Sequence, residues 1–109
     1  MKAMVSMPMG GRSKDEVDRE FNRASTVLSR IGYEVIDTRF EYPHKFLEEI
    51  GVTSIPLFYL AKSLRAMASV SAVYFVDGWS AARGCRIEHF AAKEYGIETL
   101  YEKEGKNDK

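Results

Sequence analysis

Ala72 to Val76 (AVYFV) is apolar at every position, and the segments on either side of it carry helical spacing. A strand with one wet face alternates apolar and polar residues. A strand that does not alternate is covered on both faces, as in the middle of a parallel sheet with helices above and below. Three more strand-like runs fall before and after it. Ala3 to Met7 (AMVSM) stops at Pro8 and a glycine pair, Tyr33 to Asp37 (YEVID) alternates, and Ile97 to Tyr101 follows Gly96.

Helical patterns lie between the strands. Ser13 is an N-cap with Glu16 three residues on, the spacing of a capping box. Val17, Phe21, Ala24, Leu28 and Ile31 then recur at three and four, and Gly32 closes the helix. Pro56 suits the first turn of a second helix capped by Ser54 or Ile55, with Leu57, Leu60, Ala61, Leu64 and Ala68 as its expected buried face. Ser80 to Tyr95 reads as a third long helix. Between Phe40 and Ile55 only HKFLEEIG suggests a helical turn or two. The order β-α-β-α-β-α-β implies right-handed crossovers and an α/β fold: a small Rossmann- or flavodoxin-like three-layer sandwich on a parallel sheet of four or five strands. Residues 1–102 form its single domain, and 103–109 (KEGKNDK) read as a charged, flexible tail.

Bulk properties narrow the function classes. The chain has 109 residues, 45% hydrophobic and 29% charged, so it buries a real core but not a generous one. Sixteen Lys plus Arg balance sixteen Asp plus Glu. That neutrality argues against a nucleic-acid polymer as partner, which draws on excess positive charge. A single cysteine, Cys85, makes no internal disulfide, and no apolar run approaches the roughly 20 residues of a membrane span. A cytosolic protein is expected. His44 and His89 lack metal-ligand spacing with Cys85, so neither a zinc site nor another cofactor is expected.

In an open parallel sheet, ligands bind beyond the carboxyl ends of the strands, where the strand order reverses. Three loops should meet there: Pro8–Arg12, Asp37–Tyr42 and Asp77–Arg83. On a wheel of about 100° per residue, Glu88 sits in the middle of the inward face of the third helix. Ala81, Gly84, Cys85, Ala91, Ala92 and Tyr95 fall within about 60° of it, mostly small neighbours. A carboxylate there is either tied by a hydrogen bond or by Arg12 or Arg83, or it grips or attacks a ligand. The second candidate is MPMGGRS: Met9, Gly10 and Gly11 would let backbone N–H groups approach a phosphate, and Arg12 would hold it. A turn with a solvated arginine is as good a reading of that stretch alone.

Other residues fall near the same end of the sheet. Asp37 suits a ribose hydroxyl or a turn cap. Asp77 suits a sugar contact or a proton carrier. Trp79 suits a base or the core. Cys85 faces inward and reads as a small core residue. His89, about 100° from Glu88, and Phe90, on the polar face, read as surface or subunit-contact residues.

VSMPMGGR, IPLFYLAKSLRAM, AVYFVDGW and ARGCRIEH together resemble the nucleoside 2-deoxyribosyltransferase-like superfamily, and within it a branch known as domain-of-unknown-function family 4406. The resemblance spans nearly the whole chain. In such proteins a Gly-x-x-x-Glu pattern opens this helix, and its Glu attacks the anomeric carbon of a deoxyribonucleoside. Gly84 and Glu88 match it. A related group hydrolyses deoxynucleoside monophosphates with a GGR loop like Gly10–Arg12. The implied chemistry is N-glycosidic cleavage through a glycosyl ester, with Glu88 and Asp77 as catalytic residues and Met9, Gly10, Gly11, Arg12, Asp37, Trp79, Arg83 and Gly84 binding the substrate and its phosphate. The implied partners are a small nucleoside or nucleotide and further copies of the chain, as a homodimer or larger. Several active relatives carry an acid shortly before the Gly, where this chain has Ala82 and Arg83. The alternative is a nucleotide-binding module of the same fold that does not cleave, and a third reading is an interaction protein with a vestigial pocket.

Overall fold

The computed structural model describes residues 1–103. The tail expected at 103–109 lies, Lys103 apart, outside them. The elements are β1 (Lys2–Ser6), α1 (Lys14–Arg30), β2 (Glu34–Val35), α2 (His44–Glu49), α3 (Ile55–Met67), β3 (Ala72–Phe75), a 3-10 turn (Trp79–Ala81), α4 (Arg83–Glu94) and β4 (Glu98–Tyr101). The four strands form one all-parallel sheet in the order β2-β1-β3-β4. From β1 the chain steps to one side for β2, then crosses back to the other side for β3. The order therefore reverses between β1 and β3, where Ser6 lies opposite Phe75.

The layers follow from strand parity. Ala3 and Val5 of β1, with Ala72, Tyr74 and Val76, face α1 and meet Val17, Phe21, Ala24 and Leu28. Met4, Val73 and Phe75 face the other way, onto Met67 of α3 and Cys85 and Ala92 of α4. β3 is buried at all four positions, which is why its sequence shows no alternation. The expected capping box opens α1: Ser13 N–H donates to Glu16 Oε1 at 2.8 Å, and Glu16 N–H donates to Ser13 Oγ at 3.1 Å. Ser54 caps α3, its hydroxyl accepting from Leu57 N–H.

Several expectations fail at element ends and on α3. Ile31 is exposed because it is the C-cap of α1. The long helix expected from Ser80 is a 3-10 turn followed by α4 from Arg83. Tyr95, placed on its inward face, leaves the helix as C-cap and is exposed. β2 is shorter than YEVID, with two residues paired in the ladder. The larger correction concerns α3, which buries Met67 alone. Leu60 and Leu64 are half-buried, while Leu57, Ala61 and Ala68 are exposed, Leu57 by 61%. The helix is apolar around most of its girth, so its periodicity does not say which side turns inward. Among the described residues no helix is long and apolar enough to cross a membrane.

Candidate functional site

β1 and β3 diverge beyond Ser6 and Phe75, and the loops that follow them open a cleft of about 890 Å³. Its walls come from the β1 loop (Met7–Gly10 and Arg12), from Thr38 and Phe40, from α3 (Pro56, Tyr59, Leu60, Ser63) and from the start of α4 (Ala82–Cys85). Glu88 also lines it, although the residue is only 8% exposed. The small residues around Glu88 on the wheel have the expected consequence. Gly84 has no heavy atom within 4 Å of where a Cβ would stand, so that side of the cleft is open.

Glu88 makes no ion pair among the described residues. Arg12 and Arg83 line the same cleft, yet neither salt-bridges to it. Instead Ser6, 2% exposed at the end of β1, donates its hydroxyl proton to Glu88 Oε1 at 2.5 Å. Burial pushes the Glu88 carboxyl above the usual carboxylate range, against the hydrogen bonds of Ser6 and Ser63, which favour its charged form. The result is a poorly solvated carboxylate held by a neutral donor, Ser6.

The glycine loop is more occupied than its sequence suggests. Arg12 N–H donates to the Met9 carbonyl at 3.2 Å and closes a turn in which Gly11 adopts φ 74, a left-handed conformation that suits glycine. The Arg12 guanidinium is paired with Glu20 of α1. Gly10 and Gly11 N–H make no hydrogen bond among the described residues. Arg83 stands at the first turn of α4 without an ion pair among them. Ala82 gives that helix no side-chain cap, so its N-terminal dipole faces the cleft unopposed.

Of the expected site residues, Met9, Gly10, Arg12, Arg83, Gly84 and Glu88 come together at the cleft, with Gly11 shaping its loop. Gly11 itself is not among its walls, and Asp37, Asp77 and Trp79 do not line it either. The Asp37 carboxylate takes Nε and Nη2 of Arg39, at 2.9 and 2.7 Å. Arg39 in turn reaches Asp18 and covers the Phe21 ring, so Asp37 belongs to a surface clamp on α1. Asp77 is exposed and pairs with Lys103 at 3.0 Å. Trp79 is a core residue, 6% exposed. It stacks on His89 with ring centres 4.2 Å apart and lies against Phe75. His89 is accordingly half-buried rather than a surface residue, with Nε2 2.7 Å from the Tyr101 hydroxyl.

Sequence reasoning missed Ser6, Ser63 and Tyr59. A signal existed for Ser6, the one polar residue in AMVSM. Ser63 carried less, since a serine inside a helix is unremarkable. Tyr59 is placed by the Tyr42 N–H, which donates to its hydroxyl at 3.0 Å. Tyr42 also packs on Phe46 and Phe58, so this cluster pins the 40–46 segment to α3 as one wall of the cleft.

Cys85 is 4% exposed, as its inward position implies, and burial pushes its thiol from 9.0 up to about 11. At neutral pH this leaves about a hundredfold less thiolate than an unperturbed thiol would have. Alkylation by iodoacetamide is therefore expected to be slower by at least that factor in the folded protein than after unfolding, as read by mass spectrometry. Equal rates would mean that Cys85 is open to solvent. Among the described residues no three His, Cys, Asp or Glu side chains converge as metal ligands would.

Comparison with known proteins finds one relationship. The family described as "Domain of unknown function (DUF4406)" matches residues 1–101. No curated protein and no solved structure matches the chain. The match covers both loops of the cleft, the Ser6 strand and the whole of α4, and on that extent the chain belongs to the DUF4406 family.

Proposed function

We propose that the cleft takes a nucleoside or nucleotide and that Glu88 cleaves its N-glycosidic bond. The observation that carries this reading is a buried carboxylate, without an ion pair among the described residues, in the wall of a cleft large enough for such a ligand. Met7, Met9, Phe40, Pro56, Tyr59 and Leu60 supply an apolar wall suited to a base. The N-terminus of α4 and Arg83 supply a place for a phosphate, joined by Arg12 when it parts from Glu20. The resemblance of Gly84 and Glu88 to the Gly-x-x-x-Glu pattern of deoxyribosyltransferases supports the choice of bond.

The step runs as follows. A Glu88 carboxylate oxygen bonds to the anomeric carbon while the C–N bond breaks. The bonding pair leaves on the base nitrogen, which takes a proton from solvent. Water then adds at the anomeric carbon, its proton passes to solvent, and the glycosyl ester releases the carboxylate. A second base in place of water would make the reaction a transfer.

One observation favours binding without turnover. Among the described residues Glu88 is the sole carboxylate lining the cleft, and Asp77 pairs with Lys103. A leaving base then has no second carboxyl group among these residues to protonate it. Incubating the purified protein with ribo- and deoxyribonucleosides and their monophosphates, and separating free base by chromatography, decides between the two. Base release from one class supports the glycosidase. Saturable binding of a nucleotide with no release, measured by calorimetry, supports the binding module. Neither result from any compound overturns both.

A further inference from the structure

We propose that Ser6 is a positioning residue, whose hydroxyl holds the Glu88 carboxylate in place inside the cleft. The proposal rests on the reading of Glu88 as the nucleophile.

Ser6 sits on the face of β1 that Met4 shares, where the neighbours across the sheet are Val73 and Phe75. On that face an alanine would satisfy packing as well. At 2% exposure its hydroxyl is out of reach of bulk water, and its proton goes to Glu88, 82 residues away in sequence. Ser63 of α3 lines the same cleft, and its hydroxyl favours the charged form of Glu88.

The chemistry explains why hydroxyls serve here. A carboxyl group in a low-dielectric site tends to keep its proton, and the neutral form is not a nucleophile. An arginine would hold it charged but would also draw off its electron density and lock it in a fork. A serine hydroxyl stabilises the anion and leaves it reactive. The other groups near Glu88 do not take over this role. Cys85, one turn earlier on α4, keeps its thiol proton. Arg12 of the β1 loop is tied to Glu20, and Arg83 stands at the helix entrance without bonding to Glu88.

The test has an arm that does not depend on turnover. The side-chain carboxyl carbons of glutamate are labelled with 13C, and the Glu88 signal is assigned by its loss in Glu88→Gln. Its titration is then followed by NMR in the wild type and Ser6→Ala. The midpoint is expected to move to higher pH in the variant. Ser6→Cys, close in size and a much weaker donor, keeps the test open if Ser6→Ala does not fold. With the substrate found by the base-release screen, the acid limb of the pH–rate profile is expected to follow the same shift. Ser6→Ala would lose about tenfold or more in rate at mildly acid pH and recover most of it in alkali. Ser6→Thr, which keeps the hydroxyl, should restore the profile. An unmoved or lowered Glu88 midpoint in the Ser6 variant overturns the proposal, as does a rate loss equal at every pH. If no substrate releases base while the midpoint shifts, the glycosidase reading fails and the grip on Glu88 stands.

Discussion

On the proposed glycosidase reading, Glu88→Gln is expected to lower base release from the best substrate by at least roughly a thousandfold, the usual cost of removing a nucleophile that has no stand-in. Among the described residues no other carboxylate lines the cleft, so none of them is placed to take over. Glutamine keeps the length and shape of the side chain, and its carbonyl oxygen can still accept the Ser6 proton. The fold should therefore survive, and stability gives a second readout whose sign is fixed. The Glu88 carboxyl titrates higher in the folded chain than in the unfolded one because burial disfavours its charge. From the ordinary carboxylate value up to that raised value, the folded state binds more protons, so stability falls as pH rises through this window. Above it the full cost of a buried charge remains. Glutamine carries no such cost. The variant should unfold at a temperature equal to or higher than the wild type near neutral pH, and the gap should close at about pH 4 or below. Substantial base release by Glu88→Gln would remove Glu88 from the reaction. A variant less stable than the wild type at neutral pH and matched to it in acid would mean that the carboxylate is a structural anchor.

The same burial explains what could be read from the sequence and what could not. The sheet was legible because β3 is buried on both faces and says so in five consecutive residues. The position of Glu88 was legible because α4 is amphipathic, with its inward stripe at fixed spacing. α3 was not legible in the same way. Its residues are apolar on most sides, so Leu57 was expected in the core and Met67 was not, and the structure reverses the two. The partners of charged groups were legible only when they were local. The Ser13–Glu16 box spans three residues and was expected. The bond between Asp77 and Lys103, and that between Ser6 and Glu88, join residues brought together only by the fold. A carboxylate at the end of a strand looks the same in sequence whether it points into a cleft or away from it. Asp37 and Asp77 point to arginine and lysine partners at the surface, and the first of these, Arg39, is itself held over Phe21.

Phe75→Ala is expected to destabilise the protein by about 3–5 kcal/mol, the range for truncating a buried aromatic residue. The side chain is fully buried at the end of the central strand, and Trp79, His89 and Tyr101 place their rings 5.2, 4.9 and 5.8 Å from its own. These rings come from the 3-10 turn, α4 and β4, so the cavity would open where three elements meet. Because close-packed interiors collapse only partly around such a gap, the lost contacts are not recovered elsewhere. For a domain of this size the thermal midpoint should fall by more than about 10 °C. Phe90→Ala is the natural control. It lies on the same helix as His89, yet it is 66% exposed, and its loss should change stability by no more than about 0.5 kcal/mol. Calorimetry of both variants gives the comparison. Similar losses in the two would show that the ring cluster is not a centre of stability. A large loss confined to Phe75→Ala would also carry a consequence for the cleft. Phe75 is the register partner of Ser6, and it backs the stretch of α4 that carries Glu88. If the cleft takes a nucleotide as proposed, a folded remnant of that variant should then bind it more weakly than Phe90→Ala does, because the strand and helix that align Ser6 with Glu88 would no longer be seated against each other.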